Sequence, residues 1–187
     1  MPLAEGSYRL GPPEGSLLLR TYRTGLGSRI GHDLTIEVTD WDGTARVNPD
    51  EPARSEVTVR ISVDSLEVRE GTGGLKPLTD GDRAEIKKRV REKILKTGSH
   101  PQITFAATGF SGTPADLGVE GSLTIVGVRR SFTFRASVQE HDEPARVRGR
   151  AQVVQSQWGI KPYSAFFGAL QLRDAVDIDF DAALVPI

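Results

Sequence analysis

The sequence predicts an all-β domain: an antiparallel β-barrel crossed by one amphipathic helix. Three observations predict it. Apolar and polar residues alternate at period two along most of the chain, turn signals interrupt the alternation at short intervals, and one stretch alone changes to a helical period. One face of each alternating run is apolar and the other wet, which is the antiparallel signature.

Leu17 to Arg23 is the first candidate strand, followed by Leu34, Ile36 and Val38 alternating with Asp33, Thr35 and Glu37. Arg46-Val47 is a short candidate. The stretch Val57 to Val68 opens with Val57, Val59, Ile61 and Val63 on one face and reads as one strand. Ile103, Phe105 and Ala107 give the next face, then Val119, Gly121, Leu123 and Ile125, then Phe132, Phe134, Ala136 and Val138. Val147 to Val154 and Ala175 to Phe180 complete the series, so eight or more strands are expected. Turns are marked by Asp42-Gly43, Asn48-Pro49, Gly112-Thr113-Pro114, Val126-Gly127-Val128 and Glu143-Pro144.

The helix is expected over about 82–96. Asp82 reads as its N-cap with Glu85 as capping-box partner, and Gly98 as its stop. Ile86, Val90 and Ile94 form one apolar stripe, while Arg83, Lys87, Arg89, Arg91 and Lys93 occupy wet faces. Many strands with one helix favour a closed or nearly closed barrel, because closure removes exposed edges.

Composition excludes several function classes. The chain has 187 residues, enough for one domain spanning 1–187, and no linker divides it. Its net charge is −1 with both signs interspersed, which argues against a nucleic-acid footprint. It has no cysteine, so thiolate chemistry and cysteine-based metal sites are excluded. No run approaches the length of a membrane-spanning helix, and the first fifteen residues lack an apolar signal core. No stable membrane insertion and a cytoplasmic location are the resulting expectations.

Catalytic signals are weak. His32, His100 and His141 are far apart and share no metal-ligand spacing. His32, between Gly31 and Asp33, reads first as a hydrogen-bonded residue at a strand entry. Asp40 with Asp42, and Asp177 with Asp179, each lie on one strand face and read as solvated pairs. Gly71-Thr72-Gly73-Gly74-Leu75-Lys76 lacks the Lys-Ser/Thr of a phosphate loop and reads as a connection, with an anion-binding nest as the residual reading. No cofactor, metal site or catalytic residue is expected.

The stretch Trp158 to Gly168 is unusual. It holds four of the twelve aromatic residues, Trp158, Tyr163, Phe166 and Phe167, together with Lys161. Gly159, Pro162 and Gly168 break regular periodicity there, so these rings are expected at a strand corner near one barrel end. Ordinary core, a partner contact or a ligand gate are the three ways to cover them.

Ile30-Gly31-His32-Asp33-Leu34-Thr35, Val63-Asp64-Ser65-Leu66, Pro101-Gln102-Ile103-Thr104-Phe105 and Val119 to Arg130 together resemble the YceI family of lipocalin-like barrels. The terminal strand near Asp174 to Ile178 continues the match, which runs over about residues 15–181. Within it, the Gly-x-Leu-Thr-x-x-Gly-Val-x-Arg run is the most specific part. Glu67 to Asp80 and Gln155 to Gln171 are similar to members lacking secretion signals. The resemblance implies an eight-stranded antiparallel barrel that binds a long polyisoprenoid, an isoprenoid quinone or prenyl phosphate, in its lumen. It implies no catalytic residue.

The expected function is therefore a lipid carrier or sequestering protein rather than an enzyme. Val59, Ile61, Phe105, Leu123, Phe132, Phe134 and Ile178 are the candidate wall residues. Trp158, Tyr163, Phe166 and Phe167 are candidates for the mouth, with Lys161, Lys76 or His32 near a polar head group. The alternative is a protein-interaction module with a filled barrel, docking through 158–168 and compatible with a homodimer. An enzyme with His32 as base is a third reading; it requires His32 to face the cavity with a hydrogen-bonding partner.

Overall fold

The computed structural model describes residues 3–187. The strands are β1 (Gly6–Leu10), β2 (Gly15–Thr21), β3 (Arg23–Thr24), β4 (Asp33–Val38) and β5 (Trp41–Val47). They continue as β6 (Glu56–Ser62), β7 (Leu66–Thr72), β8 (Gln102–Thr113), β9 (Asp116–Ile125) and β10 (Val128–Gln139). The last are β11 (Arg146–Val154), β12 (Ser164–Ala165), β13 (Leu170–Leu172), β14 (Ala175–Ala183) and β15 (Val185–Pro186).

Twelve strands form one curled antiparallel sheet in the order β15-β1-β5-β6-β8-β9-β10-β11-β14-β2-β4-β7, and β12, β13 and β3 form a small second sheet. The all-β, barrel-like class with one helix matches expectation; the eight-strand count is corrected to twelve in the main sheet. Two features account for the three strands beyond the nine candidate runs of the sequence. β1 and β15 are too short to show alternation in the sequence. The Val57–Val68 stretch is two strands, broken by a 3₁₀ turn at Val63–Ser65. There the single hydroxyl proton of Ser65 is shared between the carbonyls of Ser62 (2.8 Å) and Asp40 (3.1 Å). Thr39 N donates to Ser65 O at 3.1 Å and Ser62 N to Asp40 O at 3.0 Å, so the β4–β5 and β6–β7 corners meet and the sheet curls on itself. At the β9–β10 hairpin, Val126 and Gly127 have φ of 50° and 74°, the left-handed pair a two-residue turn needs to match strand twist.

The lumen is organised in levels along its axis. Ala107, Val119 and Ala136 form one small cluster, and Tyr8, Ala45 and Leu184 another. Above the first lies an aromatic layer. Phe105 meets Phe132 and Phe134 at centroid distances of 6.1 and 5.5 Å, Phe134 meets Phe180 at 5.6 Å, and Phe132 meets Trp158 at 6.2 Å. Edge-on and tilted rings at these distances pack favourably. Gly149 makes room for the layer, since a Cβ there would lie 2.4 Å from the Phe180 ring.

The outer face is laced with ion pairs. Asp179 accepts from Arg20 (2.7 Å) and Arg150 (2.9 Å), Asp181 from Arg146 and Arg148, and Asp42 from Arg60. The strand carboxylates are thus outward-facing, as expected, but several are paired across strands rather than merely solvated.

The helix α1 spans Asp80–Arg89 and continues through one π-helical turn, Val90–Ile94, in which Leu95 N donates to Val90 O at 2.8 Å. The N-cap is Thr79, with Asp82 as its capping-box partner three residues on, correcting the Asp82–Glu85 assignment. A threonine hydroxyl in an extended residue just before the helix fits the N-cap role: it accepts from Asp82 N, and the Asp82 carboxylate in turn accepts from Thr79 N. At the other end Lys96, not Gly98, takes the left-handed turn, with φ of 51°. Ion pairs from Arg91 to Asp64 and from Lys87 to Glu67 tie the helix to the barrel.

Candidate functional site

Above the aromatic layer the barrel encloses a cavity of about 700 Å³. Its walls are aliphatic: Leu19 from β2, Ile36 from β4, Ile61 from β6, Ile103 from β8, Leu123 from β9 and Ile178 from β14. Each strand sends alternate side chains inward, and these are the inward residues one or two steps past the aromatic level. The expected apolar stripe of the helix, Ile86, Val90 and Ile94, supplies one side of the cavity. A surface of this kind offers no hydrogen bonds over most of its extent, and its size lies within the usual range of ligand pockets.

Polar groups gather at the mouth. His32, Lys76, Asp82, Glu85, Arg89 and Tyr163 line it there. The Arg89 guanidinium sits 5.3 Å from the centre of the Tyr163 ring, a cation–π contact across the opening. His32 Nε2 donates to Lys76 O at 2.7 Å; a carbonyl only accepts, so Nε2 carries a proton and Nδ1 is free of that bond. The backbone hydrogen bond from Thr79 holds the Asp82 carboxyl below its ordinary value, with the Thr79 hydroxyl adding to it. The glycine-rich connection is the lid of this corner. Gly73 and Gly74 have φ of 79° and 71°, and side chains there would collide with the Arg23 guanidinium and the His32 ring.

The structure divides the expected site residues. Ile61, Leu123, Ile178, Tyr163 and His32 line the cavity, and Lys76 joins them. Phe105, Phe132 and Phe134 are in the aromatic layer below it, and Val59, paired with Phe105, packs at that same level. Trp158, expected at the mouth, is buried against Phe132, with its Nε1 donating to Leu123 O at 3.1 Å. Lys161, Phe166 and Phe167 are exposed and outside the cavity. A barrel filled from end to end is corrected: filling stops at the aromatic layer. β2 and β4 add cavity walls not among the expected site residues, Leu19, Ile36 and their neighbours, for which the alternation of Leu34, Ile36 and Val38 is the signal in the sequence. Among the described residues no cluster of three metal-ligating side chains occurs, and no helix is long and apolar enough to cross a membrane.

Comparisons with known proteins place this geometry. The YceI-like domain model matches residues 19–184. Protein YceI of Escherichia coli O17:K52:H18 is 31% identical over 107 residues, covering 56% of this chain and 49% of that protein. The chain spans about half the length of the curated relatives it matches. Among solved structures, BcnA of Burkholderia cenocepacia aligns with a TM-score of 0.67 at 14% identity, covering 90% of this chain and 94% of that one. A polyisoprenoid binding domain from Saccharophagus degradans aligns at 0.66 and 13% identity, covering 98% of this chain and all of its own. These two likenesses are of fold. The family model, which takes in both the cavity walls and the corner at Val63–Ser65, settles the membership: the chain belongs to the YceI-like domain family.

Proposed function

We propose that the protein binds a long apolar lipid, a polyisoprenoid such as an isoprenoid quinone or prenyl phosphate, as a carrier or sequestering protein rather than as an enzyme. The observation that carries the reading is the 700 Å³ cavity with aliphatic walls and a polar mouth. Each methylene moved from water to such a surface contributes roughly 0.8 kcal/mol, so a hydrocarbon chain needs few polar contacts to bind. The polyisoprenoid-binding domain with the same fold supports this choice of cargo. Ile61, Leu123 and Ile178 would contact the chain; His32, Lys76, Arg89 and Tyr163 would face its polar head. Phe105, Phe132, Phe134, Val59 and Trp158 would set the depth available to it.

The test is native mass spectrometry of freshly purified protein, then delipidation and uptake of a prenyl phosphate or quinone. A co-purified prenyl lipid, or uptake blocked by Ile36→Trp in a folded protein, is the expected result. No co-purified lipid together with no uptake would overturn the reading.

One observation favours a second reading. His32 faces the cavity with a hydrogen-bonding partner, which is the geometry a base acting on a lipidic substrate requires. The carrier reading expects the prenyl phosphate to leave with unchanged mass from wild type and from His32→Ala alike. Turnover lost in His32→Ala would favour the enzyme.

A further inference from the structure

The mouth of the cavity is framed by three segments, 22–32, 71–79 and 155–173, that are joined to one another. β12 pairs with β13, and β13 with β3, so the third segment is tied to the first by a sheet. Gly27 N also donates to Ala169 O at 2.8 Å. The middle segment is held by the bond from His32 to Lys76 O and by the packing of Arg23 against Gly73. Two features set this frame apart from the rest of the surface.

The first is exposed apolar side chains. Five of the six large hydrophobic residues exposed among the described residues are here: Leu26, Ile30, Leu75, Phe166 and Phe167. Phe166 is 66% exposed and Phe167 112%. Both have left-handed backbone, with φ of 51° and 54°. That conformation is uncommon for any residue other than glycine and strained for a bulky one. Two strained residues that hold large rings in water oppose both backbone and solvation preferences.

The second is charge. The three segments contain Arg23, Arg29, Lys76, Lys161 and Arg173 and not one carboxylate, in a chain of net charge −1. Among the described residues Arg29, Lys76 and Lys161 form no ion pair, so their charge is free. The carboxylates on the helical side of the opening are already engaged: Asp82 caps the helix and Glu85 lies 3.8 Å from Arg89.

Apolar side chains ringed by unpaired cations match an anionic lipid surface, which attracts the charges at a distance and receives the rings at its headgroup boundary. We propose that this frame docks the protein, mouth first, on anionic membranes, with Phe166 and Phe167 inserted and Arg29, Lys76 and Lys161 against the lipid phosphates. Docking is peripheral and places the cavity opening against the bilayer. It goes beyond the cargo reading and is independent of it, since vesicle binding needs no cargo.

The test is sedimentation of the full chain with vesicles of equal parts phosphatidylglycerol and phosphatidylcholine, compared with phosphatidylcholine alone. Wild type should sediment with the anionic vesicles only, and less as salt rises. F166G/F167G removes the rings where glycine suits the backbone, so the variant should stay folded, and its affinity should fall on the order of a hundredfold. Lys161→Gln should weaken binding about fivefold. The proposal is overturned if wild type ignores anionic vesicles, or if F166G/F167G binds them as wild type does. It is also overturned if wild type is a dimer in sedimentation equilibrium that F166G/F167G converts to monomer, since a second copy would then cover the rings. Prenyl uptake separates the two readings: wild type that takes up prenyl chains but ignores anionic vesicles overturns docking alone, whereas F166G/F167G should keep uptake and lose vesicle binding.

Discussion

The two halves of the lumen are built by the same strands and yet differ in kind. On β8, Ile103 faces the cavity and Phe105 the aromatic layer; on β14, Ile178 faces the cavity and Phe180 the layer. A step of two residues along a strand therefore carries the wall from empty to filled. The lower half is packed ring against ring, and the upper half leaves about 700 Å³ unoccupied by protein. Close packing is the rule in protein interiors, and a void forfeits contacts on every residue that lines it. The filled half thus supplies the larger share of cohesion, while the helix and its ion pairs hold the open half together.

Truncating one residue in each half tests whether they differ in packing. Phe132→Ala should cost about 3–5 kcal/mol, because a ring surrounded on all sides leaves a new cavity. Ile178→Ala should cost about 1–2 kcal/mol, because part of its surface already faces empty space. Urea denaturation measures both, and equal costs would show that the halves do not differ in packing.

Acid should loosen the helix over the open half before it affects the filled half. Three carboxyls are held below the ordinary range. Asp64 is lowered by its hydrogen bond from Arg91 and then Thr97, and Asp82 by Thr79. Burial pushes Asp181 up, but hydrogen bonds from Arg148 and Arg146 with their charges outweigh it and bring it down. A lowered folded value means that the stabilisation is complete above the unfolded carboxyl value of about 4 and is lost as pH falls through the folded one. Asp64 and Asp82 both secure the helix, so hydrogen exchange over residues 80–95 should quicken below about pH 4 while β10 stays protected. Simultaneous loss in both places would mean that the helix is not a separate unit.

Much of this arrangement was legible in the sequence, and its limits have a physical cause. Period two tells which face of a strand points inward, which is why Ile61, Leu123 and Ile178 were identifiable as wall and Ile86, Val90 and Ile94 as a covering stripe. It does not tell how far along the axis a residue sits. Val59, Phe105, Phe132 and Phe134 alternate just as Ile61 and Ile178 do, and only the register places them in the filled half. Trp158 and Phe167 were equally ambiguous: nine positions apart in one aromatic-rich stretch, one is buried and the other exposed. The break at Val63–Ser65 was hidden because Val63 keeps the alternation going through the turn. Thr79 does not stand out as a cap because Asp82 and Glu85 also fit the pattern.

The layer of rings also makes the lumen a dead end. Under the proposed function, a lipid tail entering between His32 and Tyr163 would meet the rings at the far end, so it would go in tail first and leave head last. Its capacity is finite as well. Across a homologous series of prenyl chains, affinity should climb with each added unit until the tip reaches Phe105 and its neighbours, and then level off as the excess stays outside. The barrel would then act as a ruler, whose scale is set by where the phenylalanines begin.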